Sequence, residues 1–419
     1  MPHRLGRGPC PRAWALLLLL GPVLLVGCAG DYVARTYGVR QAYEGEDYPR
    51  ALSELEDLER NGNPNDTLLV LLDKGMVLHA AGRWQESIQV LAKADRLSQE
   101  LDGISIREEA GALLSNERQR AYRGEDFEKL MISVLQALNY AQLGQDEDAL
   151  VEVRRVNERL QRMIVEEKKP YEQLAIARYI GGVLYEDQRN WDSAYIDYAK
   201  ALELEPRLGP LAEPLLRLAK LAGRDEAYAE LLQRFPNVPH EPLGPGEGQV
   251  VVVIEAGLSP EKQSINRPYQ PGAVELVTVP VYRDRSATPQ AQVSVGAVTE
   301  GAVTVTSLEQ VAKVHLDDRI GRMLAKQLAG VVVKAGVAAG AGALTKSEEV
   351  GYLTFLLLNL GNEADLRSWL SLPAEFQLAR FRLPAGRHMV QVDYGGRLSA
   401  REVEVRPGRV SVVVLRRYY

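Results

Sequence analysis

Cysteine is nearly absent: Cys10 and Cys28 are the two in 419 residues, too few for a disulfide framework. Histidine is almost as scarce, and His3, His79, His240, His315 and His388 are scattered without ligand spacing. HExxH, CxxC, a P-loop, GxSxG and an EF-hand loop are all missing. The chain therefore offers no enzymatic reaction, no metal site and no cofactor site. It also lacks a basic excess, with 50 basic against 56 acidic residues and a net charge of −6. That argues against nucleic acid, whose binding needs a basic face to release counterions.

What the chain does have begins at its front. Arg4, Arg7 and Arg12 precede the apolar run Ala13–Val26, which is shorter than the roughly 20 residues of a membrane-spanning helix. A positive segment, a short apolar core and small residues at the cut make residues 1–27 a secretory signal peptide. The stretch Leu25-Val26-Gly27-Cys28 resembles the lipobox of bacterial lipoproteins. The resemblance implies removal of residues 1–27 and acylation of Cys28, palmitate included. Ala29, in place of Asp, implies sorting to the outer membrane, with the body on the periplasmic side. Each acyl chain contributes about 0.8 kcal/mol per buried methylene, so several chains form a lasting anchor. Loss of three arginines leaves 47 basic and 56 acidic residues, a balance of −9. With Cys10 removed and Cys28 acylated, stability must come from apolar burial.

Residues 28–236 are dense in Leu, Ala, Glu and Arg at helical spacing. Ala175–Pro206 places Gly182, Tyr185, Ala194, Tyr198, Ala201 and Pro206 at the small, aromatic and terminal-proline positions of a tetratricopeptide (TPR) repeat. Units at 68–101 and 130–163, and a weaker one carrying Ala51 and Leu55, follow the same plan. Equivalent positions Ala51, Ser87, Ala149 and Ala194 are unevenly spaced, so extra helical material such as Leu101–Arg123 lies between units. Leu211–Phe235 reads as a truncated capping hairpin. An isolated hairpin cannot bury its apolar face, so such units stack into a solenoid.

A Pro/Gly-rich linker over residues 237–248 ends the helical pattern. Beyond it, residues 249–419 form a β-rich domain. Gln249–Glu255, Ala273–Tyr282 and Gln290–Thr306 are β-branched runs. Phe376–Arg382, Met389–Asp393, Arg401–Val405 and Arg409–Leu415 follow, separated by turn glycines, and read as a meander forming one sheet of a sandwich. This meander resembles the small PEGA-type β modules of bacterial envelope proteins. One or two helices are inserted at 307–361, and Asp317-Asp318 reads as an acidic pair at a helix N-terminus. The Ala/Gly-rich stretch 327–345 carries a GxxxG spacing at Gly336 and Gly340 and one charge, Lys334. It suits a helix buried in the domain, and also a membrane-inserted one. The fold class is α+β: a TPR-like α-solenoid, then a sandwich-like β domain with packed helices.

The lipobox, the TPR-like half and the motif Ala364–Gly386 together resemble a bacterial family of TPR-bearing envelope lipoproteins. That resemblance brings an address and an architecture, and no catalytic activity. Within the motif, Asp365, Arg367 and Trp369 suit a helix-to-strand corner fixed by a charge-assisted hydrogen bond, or a binding site. In the repeats, Leu72, Met76, Met131, Leu138, Tyr179, Val183 and Glu186 are the inward positions of first helices. They line a mostly apolar groove open to a partner helix or peptide, or filled by the chain's own helices such as Leu101–Arg123. The expected function is a lipid-anchored periplasmic scaffold or adaptor binding other envelope proteins. The alternative is a membrane-associated structural or oligomeric component of an envelope assembly or secretion system.

Overall fold

The computed structural model of the chain describes residues 32–108, 120–165, 174–268, 276–283, 287–320 and 364–418. The expected signal peptide (residues 1–27), the lipobox-like stretch ending at Cys28 and the stretch 327–345 lie outside the described residues.

Two short helices, α1 (Tyr32–Arg35) and α2 (Tyr37–Glu44), open the solenoid. Then come α3 (Tyr48–Asn61), α4 (Thr67–Ala80), α5 (Trp84–Glu108), α6 (Asp126–Gln142), α7 (Asp146–Val165), α8 (Ala175–Asp187), α9 (Trp191–Leu204), α10 (Ala212–Leu221) and α11 (Asp225–Arg234). They pair as five hairpins, α2/α3 through α10/α11. In each one, the residue two positions before the second helix has a positive φ: Glu46, Gly82, Gly144, Arg189 and Gly223. That left-handed residue turns the chain back on itself, and glycine adopts it without steric cost.

The hairpins close tightly where the sequence places glycine. A Cβ on Gly75 would sit 2.5 Å from Leu91 Cδ2, and one on Gly182 would sit 2.4 Å from Tyr198 Cδ1. The expected helical-repeat half is therefore present, with one truncated hairpin at its end.

Strand β1 (Glu247–Ala256) begins inside the expected linker and is buried along nearly its whole length. It pairs in parallel with β10 (Val410–Arg417) and antiparallel with β7 (Glu375–Pro384). With β6 (Val303–Ser307) they form a sheet ordered β10-β1-β7-β6. The second sheet is β5-β4-β8-β9, from Val298–Gly301, Gln292–Val295, Gly386–Tyr394 and Arg397–Val405. A separate hairpin joins β2 (Lys262–Pro268) to β3 (Leu276–Tyr282).

The C-terminal strands are thus not a meander in one sheet. Strands β7 and β10 belong to the first sheet, β8 and β9 to the second. Burial of β1 explains the split: its backbone needs a hydrogen-bonding strand on both sides, and sequence neighbours alone do not supply them. Val250, Val252 and Ile254 face the second sheet and, with Phe381 and Val413, share a core with Val390 and Val392 of that sheet. Val251 and Val253 point the other way, into the core shared with the solenoid. The molecule therefore has three layers: helices, first sheet, second sheet.

Residues 308–320 are helical. Asp317 and Asp318 sit in the last turns of that described stretch, not at a helix N-terminus as expected.

Candidate functional site

The groove that the repeats create is occupied from within. Leu72, Met76, Met131, Leu138, Tyr179, Val183 and Glu186 are each at most 2% exposed. The six apolar ones share a single core with Val251, Val253, Phe376, Leu378, Val410 and Val414 of the first sheet. The chain's own sheet covers these side chains; most of the expected alternative filler Leu101–Arg123 lies outside the described residues. The physical reason is the two-faced strand β1, whose second apolar face needs cover and finds it in the groove.

Polar side chains stitch this seam. His79 of α4 meets Glu255 of β1 at 2.9 Å, and its Nδ1 faces Asn139 Oδ1 at 2.6 Å. Glu186 accepts from Arg217 at 2.5 Å, Arg380 of β7 at 2.6 Å and the Tyr198 hydroxyl at 2.7 Å. Burial alone would raise the Glu186 carboxyl, but Arg380 and Arg217 outweigh it and hold it down at about 2. Asp187 receives the Val410 amide at 2.8 Å and pairs with Arg409. Gln142 caps the carbonyl of Val412 at 2.8 Å. Two backbone groups at the start of the edge strand β10 are thereby paired with helices, which blunts that end as a template for aggregation.

The corner motif lies against the same seam. Arg367 donates to both oxygens of Asp365, at 2.8 and 2.7 Å, and reaches Asp66 at 3.0 Å. Trp369 is fully buried; its amide donates to Glu128 at 2.6 Å and its indole N–H to Ser371 at 3.0 Å. Ser371 in turn donates to Asp73 at 2.6 Å. Around the corner, Lys262 and Arg319 both pair with Glu125. Burial, with the nearby Glu125 charge, pushes Glu128 up to about 7. All three motif residues are brought together, and they tie the strand entry to α4 and α6.

Sequence reasoning missed the partners of these residues: Asp66, Asp73, Glu125, Glu128, Glu255, Lys262 and Arg380. A signal existed for some of them. Asp73 directly follows Leu68–Leu72, and Glu255 ends the run Val250–Ile254, each a charge abutting an apolar segment. A buried charge needs a partner, but the sequence does not say which.

An open concavity of about 550 Å³ lies between the second helices α5 and α7, with Gln136 and Tyr140 of α6 also lining it. Arg96, Arg155, Arg159 and Arg162 line it alongside Asp95, Asp148, Glu152 and Glu158, so its charge is mixed. Arg159 bridges its walls, reaching Asp95 at 2.8 Å. Two smaller cavities of about 310 and 280 Å³ adjoin Glu309 and Ala374. Among the described residues, no group of three or more His, Cys, Asp or Glu could hold a metal ion, and no helix is long and apolar enough to cross a membrane. The line Glu255–His79–Asn139 has the residue types of a proton relay, but it is sealed between the layers, so no substrate reaches it.

No protein-family model matches the chain, and no curated protein does. Several solved structures resemble about half of the chain, three of them as follows. A crystal structure of MamA protein is 15% identical, covering 50% of this chain and 97% of its own, with a TM-score of 0.33. A tetratricopeptide repeat protein from Parabacteroides merdae is 17% identical over 50% of this chain and 68% of its own, TM-score 0.33. MamA 41-end from Desulfovibrio magneticus is 16% identical over 49% of this chain and 94% of its own, also at 0.33. Superposition this loose carries no argument about function; the architecture stands on the hairpins and sheets described above.

Proposed function

We propose that the protein is a lipid-anchored periplasmic scaffold of the bacterial outer membrane that binds other cell-envelope proteins. The observation that carries this reading is the order of elements in the chain: a lipobox ending at Cys28, followed directly by stacked TPR-like hairpins. Helical repeats offer broad surfaces suited to protein partners, and nothing in the described residues assembles a reaction centre.

Because the chain's own sheet fills the concave groove, the partner docks on the outer side of the solenoid. The mixed-charge cleft between α5 and α7 is the docking point, and it suits a polar, charged segment of another envelope protein. Electrostatic complementarity there sets specificity and encounter rate more than raw affinity.

The test is crosslinking in intact cells, followed by recovery of the acylated protein from membranes. Wild type is compared with Arg96→Glu combined with Arg162→Glu, two exposed positions whose change leaves the core alone. Loss of one specific envelope protein from the recovered set supports the cleft. Unchanged recovery removes it as the docking point. Mass spectrometry of the mature chain checks the anchor: an amino terminus at Cys28 bearing fatty acid is expected.

A further inference from the structure

The chain enters its fold without slack. Tyr32, the first described residue, is buried, and its hydroxyl donates to Asp73 at 2.6 Å. The next residues are held as firmly. Arg40 donates to the Val33 carbonyl at 2.9 Å, Arg35 pairs with Asp66, and the buried Thr36 donates to the Tyr32 carbonyl at 2.8 Å. Residues Tyr32–Arg40 are therefore held against the rest of the fold.

Only residues 29–31 separate that docked tyrosine from Cys28. Even fully extended, four Cα steps span at most about 14 Å. The headgroup layer of one leaflet is itself roughly 5–8 Å deep. A body attached this closely has no freedom to swing on a tether.

We propose that the α1–α2 end of the solenoid rests on the phospholipid surface, with Tyr37 in the headgroup layer, so that the anchor fixes the body's orientation. The inference rests on the acylation of Cys28 proposed above. Tyr37 is 58% exposed and stands about 8 Å along the chain from Tyr32 at helical rise. Its hydroxyl accepts from Gln41 at 2.7 Å, which fixes the exposed ring beside α2. Tyrosine favours this depth, because its ring is apolar and its hydroxyl polar. The cations at this end are neutralised, Arg35 by Asp66 and Arg40 by Glu261, whereas Glu44 is exposed. The surface therefore suits zwitterionic phospholipid, not an anionic headgroup.

The sequence supplies a clean probe. Once the signal is removed and Cys28 acylated, no free thiol remains, so Tyr37→Cys and Leu221→Cys each introduce a single one. Leu221 is exposed on α10, four hairpins away and so roughly 30–40 Å distant at the spacing of packed helices. The full acylated protein, carrying an environment-sensitive fluorophore at either position, is reconstituted into phosphatidylcholine vesicles containing brominated lipid. Quenching is expected to be several-fold stronger at position 37 than at 221. Inserting 20 Gly/Ser residues after Asp31 is expected to abolish that difference while fatty acid stays on Cys28. Equal quenching at both positions, in protein whose acylation mass spectrometry confirms, overturns the orientation and leaves the anchor standing. Absence of fatty acid removes the anchor and the orientation with it.

Discussion

His79 and Glu255 lie 176 residues apart in the chain and 2.9 Å apart in the fold, both closed off from solvent. Asn139 donates to Ser87 at 2.9 Å, so its carbonyl oxygen faces the histidine and Nδ1 of the ring carries a proton. A glutamine at 255 can still donate to Nε2, whereas alanine leaves that nitrogen buried and unpaired. Glu255→Ala is therefore expected to destabilise the fold by about 1–3 kcal/mol, and Glu255→Gln by clearly less. Urea unfolding of the two variants checks the order; equal losses would refute the hydrogen-bond account.

The Glu186 cluster carries a larger penalty. Removing the carboxylate with Glu186→Leu leaves Arg380 and Arg217 charged, buried and facing one another. Breaking such a cluster on one side costs about 3–5 kcal/mol. The expected thermal midpoint lies well below wild type, and Arg380→Met with Glu186→Leu recovers part of the loss.

Glu128 makes the fold sensitive to pH near neutrality. Its ordinary value is 4.5, and in the fold it rises to about 7. Between those values the native chain holds a proton that the unfolded chain has lost. Its contribution is present below 4.5 and is lost as pH rises through about 7. At 1.36 kcal/mol per pKa unit the change amounts to about 3 kcal/mol at most. Glu186 acts in the opposite direction, losing its contribution as pH falls from 4.5 towards about 2. Stability should peak near pH 5, and Glu128→Gln should flatten the decline between pH 5 and 8 in a denaturation series.

The left-handed turn residues separate two kinds of repeat hairpin. Gly82, Gly144 and Gly223 occupy that position freely, while exposed Arg189 and Glu46 occupy it under strain. Arg189→Gly is expected to stabilise by about 0.5–1 kcal/mol, relief of the left-handed strain exceeding the entropy cost of glycine. Gly182→Ala goes the other way, since its Cβ would meet the Tyr198 ring; overpacking costs about 1–3 kcal/mol. Chemical denaturation of both variants measures the sign.

Cutting the connection between helices and strands should not separate them. A protease site inserted at exposed Pro236-Asn237 lets the chain be cleaved while the seam stays closed. The fragments are expected to co-elute on sizing, and to part only in denaturant. Separation in plain buffer would show that the groove is held mainly by covalent connection.

The hairpins were legible from the chain because their causes are local. Gly75 and Gly182 mark close helix contacts, Gly82 and Gly144 mark turns, and period-3.6 leucines mark the buried face. The strands were legible for the same reason, from β-branched runs and turn glycines. What covers each face was not local. Val251 and Val253 look like any strand residues until Val250 and Val252, on the other side of β1, are known to pack against the second sheet. The apolar groove reads identically whether a partner or the chain itself fills it, because burial is non-directional and has no sequence address. Parallel pairing of β1 with β10 and the meeting of Glu186 with Arg380 join residues more than 150 positions apart. Periodicity reports which side of an element is apolar; only the three-layer packing decided which surface that side would meet.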